Sequence, residues 1–517
     1  MKKKLTQALG VSMLFLLLFI LPVMAAESSG VRKLSANIPL NSYIYTDLAK
    51  LEGLGYLKEM PNGTKPYTRM QVARWVKGIH EQVNAEQPVP AYVQALLDRL
   101  ETEFDPELAA LGGKSDGQSS IVLREMTVAG SYYHGDSLSQ LPKTKSVYQP
   151  LHINNNGVKL EDGANGLVSG VLEGNMGNNL LVSLTPRFDL NEDDTTVSLE
   201  SGYLKTHFRN LQIQLGRDAL WWGPGERGNL SLTNNARPFT SIYLSNLEPI
   251  RPDGIFKLLR QVDIDAFYAD LEEKRSNVNS PGFFGVRIAT TPGNNLTIAG
   301  TLNAIAGGVG HELHFSDIGD FITGKNADTA PIDKWDTIAG FDFRWRIPRL
   351  NGLQLYGELY GEDQAGKIIP FPSKNTYLVG FVLPRLTSDG RWDLQCETAK
   401  TTSVWYEHSL YWDGYTYHDK IIGDAMGNNA MRYYLKLSRY LADGSRLALN
   451  LEQLTMRREM AYPQKVNSLW LSYNVNLQTD LTFNATVGFA AVDHLNYQAG
   501  QSGHNYLGSI GITKRFN

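Results

Sequence analysis

The chain has 517 residues, with 49 Lys and Arg against 53 Asp and Glu and a formal net charge of -4. That balance excludes the basic face a nucleic-acid partner needs. The single cysteine, Cys396, excludes an intrachain disulfide, and no Cys/His group carries the spacing of a zinc site, so neither a metal nor another cofactor is expected.

The first residues read as a cleaved secretory leader, residues 1–26. Lys2, Lys3 and Lys4 precede an apolar run from Val11 to Leu21, and Val23-Met24-Ala25-Ala26 supplies small residues for cleavage. The run is short for a helical span, which needs about 20 residues. No cysteine follows it, so a lipoprotein is excluded. No later stretch holds 18 apolar residues, which rules out a helical membrane protein. A β-barrel stays open, because its strands alternate and average to polar. Roughly 490 residues remain after the leader, enough for one large barrel or two to four ordinary domains.

Residues 31–113 show a helical period. Tyr45, Leu48, Leu51, Leu54 and Leu57 form one apolar stripe. Thr68 is placed to cap a second helix through Val72, Trp75, Val76 and Ile79, and Pro90 opens a third through Val93, Leu96, Leu97 and Leu100, ending near Pro106. Gly112 to Gly117 reads as a linker. From Asn37 to Ile79 the order is a proline, the helix "LAKLEGLGYL", a glycine-containing turn and then Thr68-Arg69-Met70-Gln71-Val72-Ala73. This resembles an S-layer homology module, which implies a cell-wall polymer as a partner. Gln71 stands where that family has an acid, and only one module is visible. Both points favour the other reading, a helical plug or cap packed against a barrel.

From about Ser119 to Asn517 the period changes to two. Gly135-Asp136-Ser137-Leu138 spells an esterase nucleophile block, but Asp493-His494 lacks the spacing of its partners, and the block sits at a strand end. The rhythm breaks between Gly216 and Asn246. Gly223-Pro224-Gly225-Glu226-Arg227-Gly228 matches a dinucleotide fingerprint, yet Asn229-Leu230-Ser231-Leu232 follows it with no helical pattern, so that reading is rejected. Arg217, Trp221, Trp222, Gly223, Pro224, Gly225, Arg227, Asn234, Asn235 and Arg237 give this segment the composition of a bulged strand or an inward-folded loop that lines the lumen and holds it by Arg and amide hydrogen bonds.

At these residues, with their "GRD-x-x-x-WGPG" and "LSLTNNA-x-P-F" blocks, the chain resembles the Wzi family of capsule-assembly proteins. The resemblance covers leader, helical region and barrel, although only the signature is highly specific. It implies an 18-stranded outer-membrane barrel acting as a lectin for capsular polysaccharide, not an enzyme or a polymer exporter.

Further along, His311-Glu312-Leu313-His314 is one residue short of a zinc-protease motif and falls in a long loop, where a solvated turn is expected. Between Trp405 and Asp419, Tyr406, Tyr411, Trp412, Tyr415 and Tyr417 cluster. These aromatic rings suit stacking under sugar rings, and equally a girdle at a membrane interface.

The clearest alternation comes late. Leu447, Leu449 and Leu451 alternate with Ala448, Asn450 and Glu452, and similar patterns run from Leu469 to Leu477 and from Leu481 to Phe489. Strands of about ten residues, tilted near 45°, span about 24 Å, the height of a barrel's apolar band. Short connections (Pro292–Asn295, Thr387–Gly390, Ala442–Ser445, Gln478–Asp480) alternate with long ones (Asn303–Trp335, Glu362–Asn375, Tyr411–Asn429, Met456–Val466). Phe516, next to last, ends a terminal strand with Tyr506, Ile510 and Ile512 on the same face. About twelve strands from Val262 onward and six before Arg217 give an even total near 18.

The expectation is a mainly β chain: a closed antiparallel barrel of about 18 strands over residues 119–517 with a small helical domain, exported to the outer membrane. It binds capsular or exopolysaccharide and contacts outer-membrane lipid, and no nucleic acid. The alternatives are a porin with an open lumen and a tether to the cell wall.

Overall fold

The computed structural model describes residues 34–85, 89–113, 120–140, 146–177, 179–191, 194–314, 317, 334–365 and 371–516. The leader expected over residues 1–26 lies outside them, as does most of the expected linker.

Among the described residues, four helices precede the barrel strands: α1 (Tyr43–Leu54), α2 (Arg69–Ala85), α3 (Ala91–Glu103) and α4 (Asp105–Leu111). Ser42 caps α1 by accepting from the Ile44 amide, and Gly55 ends it in the left-handed region at φ 95°. The Thr68 hydroxyl accepts from the Gln71 amide at 3.2 Å and so caps α2. The expected stripes meet in one core: Leu48, Leu51 and Leu57 pack with Val72, Val76, Ile79, Val93, Leu96, Leu97 and Leu100. Each such side chain contributes about 1.5–3 kcal/mol by leaving water.

Eighteen strands follow, labelled in chain order: β1 (Ser120–His134), β2 (Gly163–Met176), β3 (Leu180–Asn191), β4 (Thr195–Phe208), β5 (Leu211–Arg217), β6 (Thr240–Asn246), β7 (Val262–Asp270), β8 (Gly282–Gly293), β9 (Leu296–Ala306), β10 (Trp335–Ile347), β11 (Leu353–Gly361), β12 (Thr376–Leu383), β13 (Trp392–Lys400), β14 (Met431–Tyr440), β15 (Arg446–Met456), β16 (Gln464–Gln478), β17 (Leu481–Asp493) and β18 (Ser502–Arg515). Each pairs antiparallel with its neighbours, and β18 returns to β1, with Ile510 opposite Gly130, to close the barrel. Closure leaves no unpaired backbone edge, which in lipid would cost several kcal/mol per group.

The alternation sorts as the sequence predicts. Leu447, Leu449 and Leu451 point outward at 38, 37 and 43% exposure, whereas Ala448, Asn450 and Glu452 are buried inside. Twelve barrel strands lie from Val262 onward, as expected, beside short two-stranded ladders in the outer loops. Upstream the count differs. Five strands end at Arg217, and the sixth, β6, lies within the segment that broke the rhythm. Its seven residues are too few to show an alternation of their own.

The four short connections named above all fall at one end of the barrel and the four long ones at the other. By the rule of short periplasmic turns, the first end is periplasmic. Two connections depart from the rule in length: only three residues separate Asn191 from Thr195 at the outer end, while residues 247–261 make a long periplasmic connection carrying a short 3-10 helix, Gly254–Leu259.

The helices sit under the periplasmic end and are fixed to its turns. The Lys50 ammonium donates to the Pro384 and Gly390 carbonyls at 2.8 and 2.7 Å and pairs with Asp393. Arg346 donates to the Glu52 and Leu57 carbonyls at 2.6 and 3.0 Å, and Arg344 pairs with Glu52 at 2.8 Å. Arg99 bridges Asp47 and Asn476. Lys50 of α1 thereby answers carbonyls of a tight turn, and Arg346 of the wall answers carbonyls at and beyond the end of α1.

Candidate functional site

The outer connection from Asp218 to Phe239, between β5 and β6, folds into the lumen as a strap. It begins at one wall and reaches the opposite one. Trp222 packs against Phe267 of β7 with ring centroids 5.3 Å apart. The Leu230 amide donates to Glu358 of β11 at 2.8 Å, the Glu226 amide to Glu397 of β13 at 2.8 Å, and the Arg227 guanidinium to Glu452 of β15 at 2.5 Å. Lys436 of β14 pairs with Glu226. Arg432 of β14 holds Glu397 at 2.9 Å and Asp424 of an outer loop at 2.5 Å. The strap therefore crosses the barrel on a row of charged inward-facing side chains, each carboxylate answered by a guanidinium, an ammonium or a backbone amide.

Two glycines let the strap pass. Gly223 has φ +136°, and a Cβ there would lie 2.4 Å from Asn229 Oδ1 and 2.6 Å from Glu358 Oε1. At Gly225 a Cβ would lie 2.0 Å from the Gly228 carbonyl oxygen. The Gly-Pro-Gly of the signature is thus set by close approach to the strap's own Gly228 and Asn229 and to Glu358 of the lumen wall.

From the periplasmic side the link between α1 and α2 rises to meet the strap. Thr64 and Lys65 pair as a short antiparallel ladder with Trp222 and Trp221, and the Gly223 amide donates to the Gly63 carbonyl at 3.1 Å. Arg287 of β8 secures the junction, donating to Thr64 at 3.0 Å and to Asp342 at 2.5 Å. From the outside the connection between β13 and β14, residues 401–430, folds down onto the strap. Tyr406 and Tyr415 donate to the Leu230 and Ser231 carbonyls at 2.6 and 2.8 Å, Thr233 to Gly423 at 2.6 Å, and Asn235 to Ile421 at 2.9 Å. Strap, periplasmic link and outer connection thus meet inside the lumen.

Of the signature residues, Trp221, Trp222, Gly223, Gly225, Asn234 and Asn235 are buried in this filling. Pro224 and Arg227 are half-buried within it, as are Arg217, which closes β5, and Arg237, near the strap's far end.

The aromatic cluster from Tyr406 to Tyr417 requires a correction. Tyr406, Tyr411 and Tyr415 are 0, 1 and 1% exposed, and Tyr417 is also buried. Tyr406 stacks on Tyr415 at 5.3 Å, and Tyr417 meets Phe239 edge to face. They form the core of the loop filling and have no face left for a sugar. Trp412 alone of the five is open, 51% exposed, with its indole N–H donating to the Ser409 carbonyl at 2.9 Å. Its loop is braced by the connection between β7 and β8: Arg275 donates to the Gly414 and Thr416 carbonyls at 2.8 and 2.9 Å, and the Ser276 amide to Asp413 at 2.6 Å. Tyr462, 46% exposed on the loop after β15, stands edge-on to His494 at 5.7 Å. Sequence reasoning missed it, because a lone Tyr in a polar loop carries no periodic signal.

The other motifs take ordinary places. Gly135 to Leu138 lies in the outer loop after β1, where the Asp136 carbonyl accepts from Asn505 at 2.9 Å. His311 to His314 lies in an outer loop, and among the described residues no group of three His, Cys, Asp or Glu could hold a metal ion.

The family model for the capsule assembly protein Wzi matches residues 139–507, which contain the strap, the outer loops that fold onto it and almost all the barrel. The chain belongs to the Wzi family. Its fold is similar to that of the solved Wzi from Escherichia coli, described as an outer-membrane carbohydrate-binding β-barrel involved in group 1 capsule assembly. The TM-score is 0.68 and the identity 20%, over 93% of this chain and 100% of that one. It is also 27% identical over 213 residues to an uncharacterized 55.8 kDa protein in the cps region of Klebsiella pneumoniae. That match spans about two-fifths of either chain, 40% of each. Family and fold together make this an outer-membrane barrel with its strand-connecting long loops outside.

Proposed function

We propose that this barrel holds surface polysaccharide, capsular or a related exopolymer, on its outer face as a lectin. In this reading residues 119–517 are the barrel, and residues 31–113 are a cap that closes its periplasmic end. The observation that carries it is the occupied lumen. Among the described residues a strap crosses the barrel on paired charges and the loop of residues 401–430 folds down onto it, so the outer face is where a surface polymer meets the molecule. The solved relative is described as carbohydrate-binding, which supports the same class of ligand. Within that face, Trp412 and Tyr462 offer flat apolar surface held by braced loops, which suits stacking under pyranose rings at low entropic cost. The reading is one of binding rather than catalysis.

The test is retention of capsular polymer by cells carrying the wild-type protein or Trp412→Ala with Tyr462→Ala. Loss of retention by about ten-fold, corresponding to about 1.4 kcal/mol, with unchanged heat-modifiable mobility, is the expected result. Retention equal to wild type removes the reading for these two residues.

A further inference from the structure

A second site lies on the opposite side of the strap. Between α2 and the wall formed by β5, β6 and β7 runs a cavity of about 800 Å³. That is within the range of roughly 300–1,000 Å³ typical of small-molecule sites. Leu220 and Tyr243 line it and are both buried. Arg74, Trp75 and Gly78 line it from the α2 side.

Its walls are built and not merely polar. Asp263 accepts from Asn62 and Asn246, each at 2.9 Å, and Asp265 accepts from the Tyr243 hydroxyl at 2.6 Å. These bonds fix both carboxylates as acceptors on a rigid sheet. Gln212, 5% exposed, donates its Nε2 to the Ser245 hydroxyl at 3.0 Å, while the other end of its amide, Oε1, is buried with no partner. Thr291, 6% exposed, has a buried hydroxyl oxygen without a partner as well. An unmet buried polar atom is costly, by about 1–3 kcal/mol, and both of these line the cavity.

The wall therefore offers oriented acceptors, Asp263 and Asp265 among them, together with donors from Lys58, Arg74 and Arg251, and a hydroxyl group answers both. A ligand that answers it carries several O–H groups in a small volume. Glu59, Glu248, Asp263 and Asp265 face Lys58, Arg74 and Arg251 across it, so the lining carries no cationic excess to draw an anion, and Trp75 supplies an apolar face beside them. We propose that this cavity binds a short neutral saccharide from the periplasmic side. It is distinct from the outer-face reading, because the strap separates the two.

Gly78 gives a clean variant. A Cβ there meets nothing within 4 Å, so Gly78→Trp fills the cavity without displacing the core. Purified full-length protein is titrated with maltotriose, galactotriose and mannotriose, followed by saturation-transfer NMR. With the outer face removed by Trp412→Ala, saturable binding of at least one is expected to persist, and it is weakened by about ten-fold or more when Gly78→Trp is added, with heat-modifiable mobility intact throughout. Absence of saturable binding by all three up to about 10 mM overturns the proposal. So does binding that Gly78→Trp leaves intact, and a signal lost in Trp412→Ala alone assigns that binding to the outer face.

Discussion

At the scale of single residues, the strap is decided by clearance and by protons. Gly225 faces the Gly228 carbonyl so closely that even a methyl group must move backbone. Gly225→Ala is expected to cost about 1–3 kcal/mol through overpacking, read as a lower thermal midpoint, whereas Gly55→Ala at the exposed end of α1 pays only for its left-handed φ, about 1 kcal/mol. His152, in the outer loop after β1, answers to pH. Burial, aided by the neighbouring Lys420 and Arg187 cations, drives its pKa down to about 3 from the ordinary 6.5, and its Nε2 is enclosed without a partner. The unfolded loop thus takes up a proton that the folded loop refuses, so stability is lost as pH falls from about 6.5 toward 3. Hydrogen exchange across residues 149–161 should rise over that window, and His152→Gln should flatten the rise. A pH-independent exchange rate in the wild type would refute this.

At the scale of elements, the barrel wall and its filling are joined by a few buried charges. Arg432 neutralises Glu397, which holds the strap, and Asp424, which belongs to the outer loop above it. Truncating one member of a buried ion cluster leaves the others uncompensated, a loss of about 3–5 kcal/mol. Arg432→Ala should therefore loosen strap and loop together, seen as new proteolytic cleavage in both. Arg432→Lys should recover only part, because an ammonium cannot present a planar fork to two carboxylates. Protection of either segment in the Ala variant would separate two elements that the geometry joins. The helices follow a different logic. Leu51 is fully buried among α2 and α3, where shape sets the cost of truncation, and its loss would act on the cap and not on the barrel.

At the scale of the whole molecule, closure of the lumen has a direct electrical reading. In planar bilayers the wild type should be silent. Removal of residues 34–113 alone should leave it nearly so, since the strap keeps its contacts to β11, β13 and β15. Replacing residues 218–239 by a short Gly/Ser turn should open steady conductance. Steady conductance in the wild type would instead restore the porin alternative.

The sequence by itself determined the barrel, its strand parity from Val262 onward and the side of each turn named in advance, because a strand buried on one face writes its period directly into the chain. It determined the first three helices for the same reason, through their 3.6-residue stripe, but not α4, which Pro106 opens where a stop was expected. The signature was legible as a break in rhythm, and its family was recognisable from Gly-Pro-Gly and the paired asparagines. Only the tertiary structure decided where that segment goes, that β6 hides within it, and that Tyr406, Tyr411 and Tyr415 are core. An aromatic ring in a loop has the same composition whether it faces water or a folded strap. Its fate depends on contacts between residues more than a hundred positions apart, such as Tyr406 with Leu230, which no local period records.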